Sequence, residues 1–327
     1  MSKLFSSKYF ANLSLFDPVE GITIKEPYGK ENGYWVGAPY VFYDEILGKF
    51  FLYYRIRKPK PIRGGEVRIA QSVDGEKFED ILVIKKEQLN SESIERASFL
   101  RCMDGIYRMY ISYVDPQTRK WRIDMMEADH PKNFDVSTRK KVFVAEDLDI
   151  EGIKDPYVFL VGRKYYMLVS YAEPLKNPSE ETKRKLHESG DVYTTGLTTH
   201  PTGLATSLDA KNWKWEGKIL DVSKNGWDKY QARINSVIYV PPVFFGFYDG
   251  SSSEKENYEE RCGLCMSYDL KSFESITPNE PVLESPYNTH SVRYVDFLEK
   301  EDEIWYYYEF CREDEAHELR LAKVKKF

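Results

Sequence analysis

Five segments of this sequence repeat the same order of features, and the repeat limits the chain to a few folds. Each unit starts with an apolar segment, passes through a short polar turn and continues into an aromatic-rich segment. The first segments are "APYVFYD" (38–44), "ASFLRCMD" (97–104), "DPYVFLVG" (155–162), "ARINSVIYV" (232–240) and "SVRYVDFL" (291–298). The second segments are "KFFLYYR", "IYRMYISY", "KYYMLVSY", "VFFGFYD" and "IWYYYEF". Self-similarity at a period of tens of residues indicates a repeat architecture.

A second motif follows the aromatic segments and supports the same interpretation. The pattern Ser-x-Asp-x-x-x-aromatic occurs at "SVDGEKF" (72–78), "SLDAKNW" (207–213) and "SYDLKSF" (267–273), with "ADHPKNF" (128–134) as a degenerate copy. The units start near residues 38, 97, 155, 232 and 291, which makes them 59, 58, 77 and 59 residues long. These lengths suit four-stranded blades. A β-sandwich would show evenly spaced turns but would not explain five matched aromatic strands.

The sequence therefore predicts an all-β fold, a five-bladed β-propeller with four-stranded blades that forms a single domain over residues 1–327. The aromatic content of 15%, with 25 Tyr and 18 Phe, fits a fold rich in strands. The fifth unit contains only three strands before Phe327. Since exposed strand edges promote aggregation, we expect a segment within residues 4–25 to complete or cover blade 5.

Composition argues against several partners and compartments. The net charge of -6 and the pI near 5.6 provide no basic face for nucleic acid. The first residues, "MSKLFSSKYFANLSLFDPVEG", lack an apolar export signal, and no segment approaches 18 apolar residues. A cytoplasmic protein without a membrane partner is expected.

The four cysteines are expected to be free and buried. Only Cys262 and Cys265 have a motif-like spacing. On a strand, residues i and i+3 face opposite sides, so these two sulfurs do not easily share a metal or a disulfide.

Antiparallel alternation of the strands places the longest polar loops on one face of the predicted propeller, and the Ser-x-Asp hairpins on the other. The longest loop, residues 172–203, contains "PSEETKRKLHE", in which Ser179 is expected to cap a short helix in blade 3. Long irregular segments on a rigid scaffold often carry function. We interpret this insertion as a lid, with a solvated charged flank as the alternative.

Charged residues recur at the start of the first strands. Asp155 precedes Pro156, which biases it towards an extended backbone. The corresponding positions in the other units are Ala38, Arg96, Arg233 and Arg293, within about one residue. Because first strands surround the propeller axis, these guanidiniums and the carboxylate are predicted to converge. Buried charges are costly unless paired, so a binding site and an ion-pair ring that only joins the blades both remain open.

Other candidates are expected at the same rim. Glu95 precedes Arg96, and Glu309 ends the second strand of the fifth unit. Glu66 and His317 lie at the starts of third strands and are expected to reach the rim as well.

The unit starts, the segment "KDPYVFLVGRKYYMLVS" (154–170) and the Ser-x-Asp hairpins resemble the five-bladed propeller glycosidases, which are glycoside hydrolase families 43, 32, 62 and 130 and their relatives. The resemblance extends over residues 37–324. It implies a carbohydrate substrate and cleavage of an O-glycosyl bond.

The family 43 pattern places a general base Asp at the start of blade 1, an orienting Asp before a proline in blade 3, and a general acid Glu. Asp155 matches the blade 3 residue. Blade 1 departs from the pattern, because "WVGAPYVF" (35–42) has Gly37, Ala38 and Pro39 and no carboxylate.

The family 130 mannoside phosphorylases are similar in another respect, since "FFLYYRIR" (50–57) looks like their Arg-bearing second strand. Their Asp-Pro-Arg motif has Tyr157 in place of its Arg here. Arg55, Arg57 and Arg63, with the arginines of the first strands, would suit an anionic substrate or phosphate.

We predict a glycoside hydrolase that works through the carboxylate pair Asp155 and Glu309, with Glu95 as a third candidate. Neighbouring arginines should lower the pKa of Asp155 and make it the ionised partner. Glu309, within "WYYYEF", should have a raised pKa and act as the proton donor. The alternatives are a phosphate-dependent glycoside phosphorylase and a non-catalytic carbohydrate-binding propeller, which the missing blade 1 Asp favours.

The remaining candidates are assigned to substrate binding. They are Arg55, Arg57, Glu66, Arg96, Arg233, Arg293, His290, His317 and Tyr40. Two histidines without matched spacing to acids make a weak metal site, so neither a metal nor a cofactor is predicted. The oligomeric state is left open.

Overall fold

The computed structural model describes residues 11–326, and β-strands dominate it. The strands are β1 (Ile22–Lys25), β2 (Trp35–Asp44), β3 (Lys49–Lys58), β4 (Arg63–Ser72), β5 (Glu79–Lys85), β6 (Ile94–Arg101), β7 (Tyr107–Val114), β8 (Trp121–Ala128), β9 (Lys140–Phe143), β10 (Gly152–Val161), β11 (Lys164–Ala172), β12 (Thr202–Ser207), β13 (Lys214–Leu220), β14 (Gln231–Val240), β15 (Val243–Ser251), β16 (Arg261–Ser267), β17 (Glu274–Ser275), β18 (Val292–Lys300), β19 (Glu303–Cys311) and β20 (His317–Lys325). The predicted all-β class is confirmed.

The strands form antiparallel sheets in chain order, as the aromatic repeat indicated. Three sheets have four strands each, β6 to β9, β10 to β13 and β14 to β17. The fourth sheet has the order β18-β19-β20-β2-β3-β4-β5, with β1 paired to β20. Its two halves meet only at one parallel bridge between Trp35 and His317. The predicted four-stranded sheets are therefore present.

The segment before β2 covers the free edge of β20. In β1, Ile22 pairs with Leu321 and Thr23 with Arg320. The ring of Phe16 stacks on Tyr306 with centroids 4.6 Å apart. Residues 4–10 of the expected covering segment lie outside the described residues.

The first strand of each unit is interrupted near its start by a bulge. The register breaks between Gly37 and Tyr40, Ile94 and Ala97, Lys154 and Tyr157, Ile234 and Ser236, and Arg293 and Asp296. Ala38, Asp155 and Tyr294 occupy the same bulge position with φ of +53°, +57° and +53°. A bulge adds one residue and redirects its side chain. This shared irregularity turns charged side chains towards one centre.

The Ser-x-Asp motifs close the turns between third and fourth strands. In the first, the Ser72 Oγ accepts a hydrogen bond from the Gly75 N at 2.9 Å, and the Asp74 Oδ1 accepts one from the Lys77 N at 2.9 Å. Ser207 with Asp209, and Ser267 with Asp269, form the same turn. These side chains satisfy the backbone donors of the turn, which explains the repeat.

The loop between β11 and β12 contains the α-helix α1 (Glu180–His187). The Ser179 Oγ accepts a hydrogen bond from the Thr182 N at 3.1 Å and caps it. Leu186 is buried with Trp121 and Tyr193, so the loop packs onto the sheets.

Cys102, Cys262, Cys265 and Cys311 are free and buried, which confirms the prediction made for them. Among the described residues, no helix has the length and apolar character needed to cross a membrane.

Candidate active site in the central funnel

The first strands converge on a buried cluster of charged side chains, here called the ionic centre. Cross-strand pairing aligns Lys154, Arg233 and Arg293 at one position of their strands. Their partners on the second strands are Ser170, Asp249 and Glu309, and in the first unit Arg55 pairs with Gly37. The positions that correspond to Asp155 are therefore Ile234 and Tyr294, one residue after the expected Arg233 and Arg293 and within the margin of about one residue given for them.

The core of the ionic centre is a guanidinium shared by two carboxylates. The Arg233 Nη1 lies 2.7 Å from the Asp155 Oδ2, and its Nη2 lies 2.5 Å from the Asp249 Oδ2. The Asp155 Oδ1 also accepts a hydrogen bond from the Arg96 N at 3.2 Å. Asp249 accepts two from the Tyr294 N, both at 3.1 Å. The predicted meeting of Asp155 and Arg233 is thus present.

The two carboxyls on Arg233 have opposite pKa shifts. Burial raises the pKa of Asp155, but the positive charge of Arg233 and its neighbours outweighs burial and holds that pKa below its usual value. Burial raises the pKa of Asp249 to about 6, since the nearby Glu260 carboxylate adds to it and Arg233 compensates only in part. One carboxyl therefore stays ionised while the other titrates near neutrality.

Glu309 lies at the edge of the ionic centre and is fully paired. Its Oε1 accepts hydrogen bonds from the Arg293 Nη2 at 2.6 Å and the His317 Nδ1 at 2.8 Å. Its Oε2 accepts one from the Ala38 N at 3.0 Å. A Cβ at Gly37 would lie 2.0 Å from this oxygen. The Glu309 carboxylate therefore occupies the space that a side chain at Gly37 would need.

The expectation that Glu309 has a raised pKa is wrong. Burial alone would raise it, but Arg293 and the hydrogen bond from His317 lower the pKa of Glu309 far below its usual value. The aromatic neighbours in the sequence are outweighed by charges that come from other strands. The lowered pKa favours the ionised form of Glu309, which suits an anchor better than a proton donor.

Glu95 joins the arginines of β3 to this cluster. Its carboxylate pairs with Arg55 and, at 3.1 Å, with the Arg57 Nη1. Arg96 turns the other way, and its Nη1 and Nη2 donate at 2.7 Å to the carbonyl oxygens of Asn235 and Pro39. Arg96 thus ties three units together at the axis.

The ring of Tyr294 fills the middle of the ionic centre. The guanidiniums of Arg233, Arg293 and Arg55 lie 4.0, 5.3 and 5.6 Å from its centroid. Its hydroxyl lies 3.5 Å from the Asp155 Oδ2. An aromatic face between several guanidiniums lessens their mutual repulsion.

Aromatic rings from the polar loops cover the centre. Lys154 is buried, with its Nζ 4.0 Å from the Tyr193 centroid and 5.2 Å from that of Trp121. Burial lowers the pKa of Lys154 to about 8. The Arg57 guanidinium lies 4.0 Å from the Tyr258 centroid and 5.2 Å from that of Trp35.

A clasp around Asp191 holds this cover closed. Tyr258 donates its hydroxyl to the Asp191 Oδ2, which also pairs with the Arg63 Nη2 at 2.9 Å. The Trp121 Nε1 donates to the Asp191 Oδ1 at 3.3 Å. A cavity of about 420 Å³, lined by Arg63 and Asp191, lies against the clasp. With the clasp closed, Asp155, Asp249 and Glu309 are each 0% exposed.

Three predicted site residues lie apart from the ionic centre. Glu66 pairs with Arg68 at 2.6 Å. His290 is exposed, and its Nδ1 lies 2.8 Å from the Ser285 carbonyl oxygen. Tyr40 packs in the apolar core and donates its hydroxyl to the Val158 carbonyl oxygen at 2.7 Å. These positions correct the expectation that Glu66 reaches the rim, and they separate His290 and Tyr40, assigned to substrate binding, from the ionic centre.

Sequence reasoning missed several residues of the centre. They are Lys154, Asp191, Asp249, Tyr258, Glu260 and Tyr294. Asp249 had a usable signal, because it ends its aromatic strand as Glu309 does. Glu260 pairs with the Arg293 Nη1 at 2.6 Å and follows a variable loop, where no pattern indicates it.

His317 lies between two carboxylates, the Glu309 Oε1 at 2.8 Å from its Nδ1 and the Glu259 Oε2 at 2.9 Å from its Nε2. Burial would lower the pKa of His317, but Glu259 and Glu309 together raise it well above its usual value. The Cys311 Sγ is close enough to complete a three-ligand group with His317 and Glu259. Both imidazole nitrogens face carboxylate oxygens, which is the geometry of a histidine in two ion pairs.

Asp296 provides a pH-dependent test of this burial. Its Oδ2 accepts a hydrogen bond from the Val41 N at 2.8 Å, and burial raises its pKa to about 6 from 3.8. A raised carboxyl pKa means that stability is lost as the pH rises from about 4 through 6. Between pH 4 and pH 7, the free energy of unfolding of Asp296→Asn is therefore expected to rise by up to about 3 kcal/mol relative to that of the wild type. Urea unfolding of both proteins at the two pH values measures the difference, and a constant difference would contradict the burial argument.

Comparison with solved structures identifies the fold. A putative glycosidase from Bacteroides thetaiotaomicron superimposes with a TM-score of 0.63 and 13% identity, covering 99% of each chain. A thermostable family-43 glycoside hydrolase superimposes with a TM-score of 0.62 and 12% identity, and the match covers 89% of this chain and 90% of that chain. The β-1,2-mannobiose phosphorylase from Listeria innocua, in complex with β-1,2-mannobiose, superimposes with a TM-score of 0.61 and 15% identity. The match covers 93% of this chain and 94% of that chain.

No family model and no curated protein matches the sequence. At these identities the structural similarity establishes the fold alone. The predicted resemblance is confirmed at that level: the chain has the propeller fold shared by the family 43 and family 130 glycoside hydrolases and their relatives.

Proposed function

We propose that this chain is a carbohydrate-active enzyme that hydrolyses a glycosidic bond in the central funnel of a five-bladed propeller. In this interpretation the largest sheet is two blades, β2 to β5 and β18 to β20 with β1, that touch at the single bridge between Trp35 and His317. The helix α1 belongs to an insertion in blade 3, and residues 1–327 form one domain.

The observation that carries the proposal is the pair of carboxyls on Arg233. Asp155 has a lowered pKa and Asp249 a pKa of about 6, and environments that separate two carboxyl pKa values are typical of an acid and a base. Asp249 would give its proton to the glycosidic oxygen as the bond breaks. Asp155 would take a proton from the attacking water or attack the anomeric carbon itself. Asp249 thus replaces Glu309 as the proposed donor.

Unpaired polar atoms around the centre support a hydroxyl-rich ligand. Within residues 11–326, the Arg55 Nε, the Ser170 Oγ and the Asn235 Nδ2 are buried without a hydrogen-bond partner. Buried polar groups are normally paired, so such atoms are suited to a ligand or to water. Trp35 and Tyr258 would provide apolar faces for a sugar ring.

Substrate access requires the clasp to open. The cavity beside Arg63 and Asp191 lies outside the closed cover and is the proposed first contact for a sugar chain. Separation of Tyr258 from Asp191 would join this cavity to the ionic centre. Closure after binding would exclude water from the reacting groups.

A non-catalytic carbohydrate-binding propeller is the second candidate, and the complete pairing of Asp155 and Glu309 favours it. A phosphorylase is less well supported. Arg55 pairs with Glu95, Arg233 with Asp155 and Arg293 with Glu309, so these guanidiniums already have anionic partners and need none from phosphate.

A screen of aryl-glycosides and oligosaccharides, run with and without phosphate, tests the proposal. Hydrolysis is expected to proceed equally in both conditions. Asp155→Asn is expected to lower kcat/KM about 10²–10⁴-fold, because it removes the ionised partner. Binding without product release would favour the second candidate, and phosphate-dependent turnover would overturn hydrolysis.

A further inference from the structure

The face of the protein opposite the clasp exposes apolar side chains at its turns. Among the described residues, the large apolar side chains with the highest exposure are Val73 (79%), Ile46 (74%), Leu208 (74%) and Tyr268 (68%). Val73, Leu208 and Tyr268 are the middle residues of the three Ser-x-Asp turns. Ile46 is in the turn between β2 and β3. Antiparallel alternation places all these turns on one side, here called the hairpin face.

The other turns between first and second strands follow the same pattern. Met103, Val161 and Tyr239 are 48%, 39% and 49% exposed. Met103 and Ile46 line one cavity of about 400 Å³, which shows that neighbouring turns adjoin. Exposed apolar residues therefore recur at the turns of this one face, and those of the first two units lie side by side.

The turn between β18 and β19 is the exception, because it is acidic. It contains Glu299, Glu301, Asp302 and Glu303 with a single lysine, and is here called the acidic turn. The sheet β10 to β13 carries a net positive charge around its two turns, here called the basic edge, since Arg163, Lys164, Lys211 and Lys214 outnumber Asp209 and Glu216. Some of these groups already form ion pairs within the chain, such as Lys211 with Glu127 at 3.1 Å. Arg163, Glu301 and Asp302 make no ion pair among the described residues.

We propose that the hairpin face binds a second copy of this chain in a twofold symmetric dimer. A twofold axis along the sheet β14 to β17 would exchange the sheet β10 to β13 of one copy with the fifth unit of the other. The basic edge of each copy would then meet the acidic turn of the other, which is the self-complementarity that a twofold interface requires. Tyr239 and Tyr268 would lie near the axis.

The apolar area fits a dimer of ordinary size. The seven apolar side chains named above, each with roughly 150–200 Å² of surface, expose on the order of 700 Å² together, and a stable interface buries about 800 Å² on each partner. The charged turns at the margin add to this area. The interface would have an apolar middle and a polar rim.

The mass of the full-length protein in solution tests the proposal. Light scattering after gel filtration at about 10–50 μM, where interfaces of this size are normally occupied, is expected to give a dimer. Ile46→Asp combined with Leu208→Asp is expected to raise the dissociation constant of the dimer about thirtyfold or more, because two apolar contacts of the interface are replaced by charges. Tyr28→Asp is the matched control: Tyr28 is 57% exposed but lies outside the hairpin face, and its variant should stay dimeric. Circular dichroism checks that each variant is folded.

Charge reversal tests the orientation. Glu301→Lys with Asp302→Lys is expected to weaken the dimer, as is Arg163→Glu with Lys211→Glu. All four changes in one chain should restore it, since each reversed turn again meets an opposite charge. A monomeric wild type, or a dimer whose dissociation constant is unchanged by the two aspartate substitutions, would overturn the proposal. The proposal would also be overturned if the variant with all four substitutions formed a dimer no tighter than that of either double variant.

Discussion

Glu309→Ala is expected to lower the free energy of unfolding by about 3–5 kcal/mol, since removing one partner of a buried ion pair leaves uncompensated charge. Glu309 is 0% exposed and accepts hydrogen bonds from Arg293, His317 and the backbone of Ala38. Arg293 keeps Glu260 at 2.6 Å, which places the expected cost within this range and not above it. Urea unfolding at pH 7 measures the change.

Glu299→Ala is the control for this prediction. Glu299 is on the preceding strand β18, is exposed, and pairs with Lys326 at 3.1 Å, so its loss should change stability by less than about 1 kcal/mol. The pH dependence of stability, compared between the wild type and Glu309→Gln, provides a second check. Since Glu309 has a lowered pKa, its stabilisation is present above its usual value of 4.5 and lost as the pH falls. The difference in the free energy of unfolding between wild type and Glu309→Gln should therefore narrow below pH 4.5. If Glu309→Ala lost less than about 1 kcal/mol of this free energy, Glu309 would not be an anchor.

The repeat in the sequence was sufficient to predict the strands and their convergence. Aromatic second strands and Ser-x-Asp turns recur because each sheet needs the same apolar faces and the same satisfied turn. Asp155, Arg233 and Glu309 were therefore placed in one centre without coordinates. Their identity as neighbours follows from topology, which the repeat encodes.

The alignment within the first strands could be predicted only to about one residue, for a local reason. A bulge adds one residue, and a shift of one residue reverses the side to which a strand side chain points. Tyr294 was missed on this account, although it occupies the same bulge position as Asp155, with φ of +53° and +57°. Nothing in "SVRYVDFL" shows where the bulge begins.

The prediction of the charge state of Glu309 was wrong for a different reason. Its sequence neighbours are aromatic, but Arg293 and His317 come from the strands on either side of it. The pKa of a buried group depends on spatial neighbours, and sequence shows only those along the strand. The closed cover was also beyond prediction, since the contact between Tyr258 and Asp191 joins two irregular loops.

Asp249→Asn is expected to reduce kcat/KM by about 10²–10⁴-fold on a natural oligosaccharide, because it removes the proposed proton donor. With a pKa of about 6, Asp249 should give the wild type a fall in kcat/KM as the pH rises above 6, and the variant should lose this dependence. An aryl-glycoside whose leaving group needs no proton should be affected far less. Asp296→Asn is the matched control, because Asp296 is equally buried with a pKa of about 6 but contacts the backbone of Val41 and not Arg233. Full activity of Asp249→Asn, or an equal loss in Asp296→Asn, would show that the proton comes from another group.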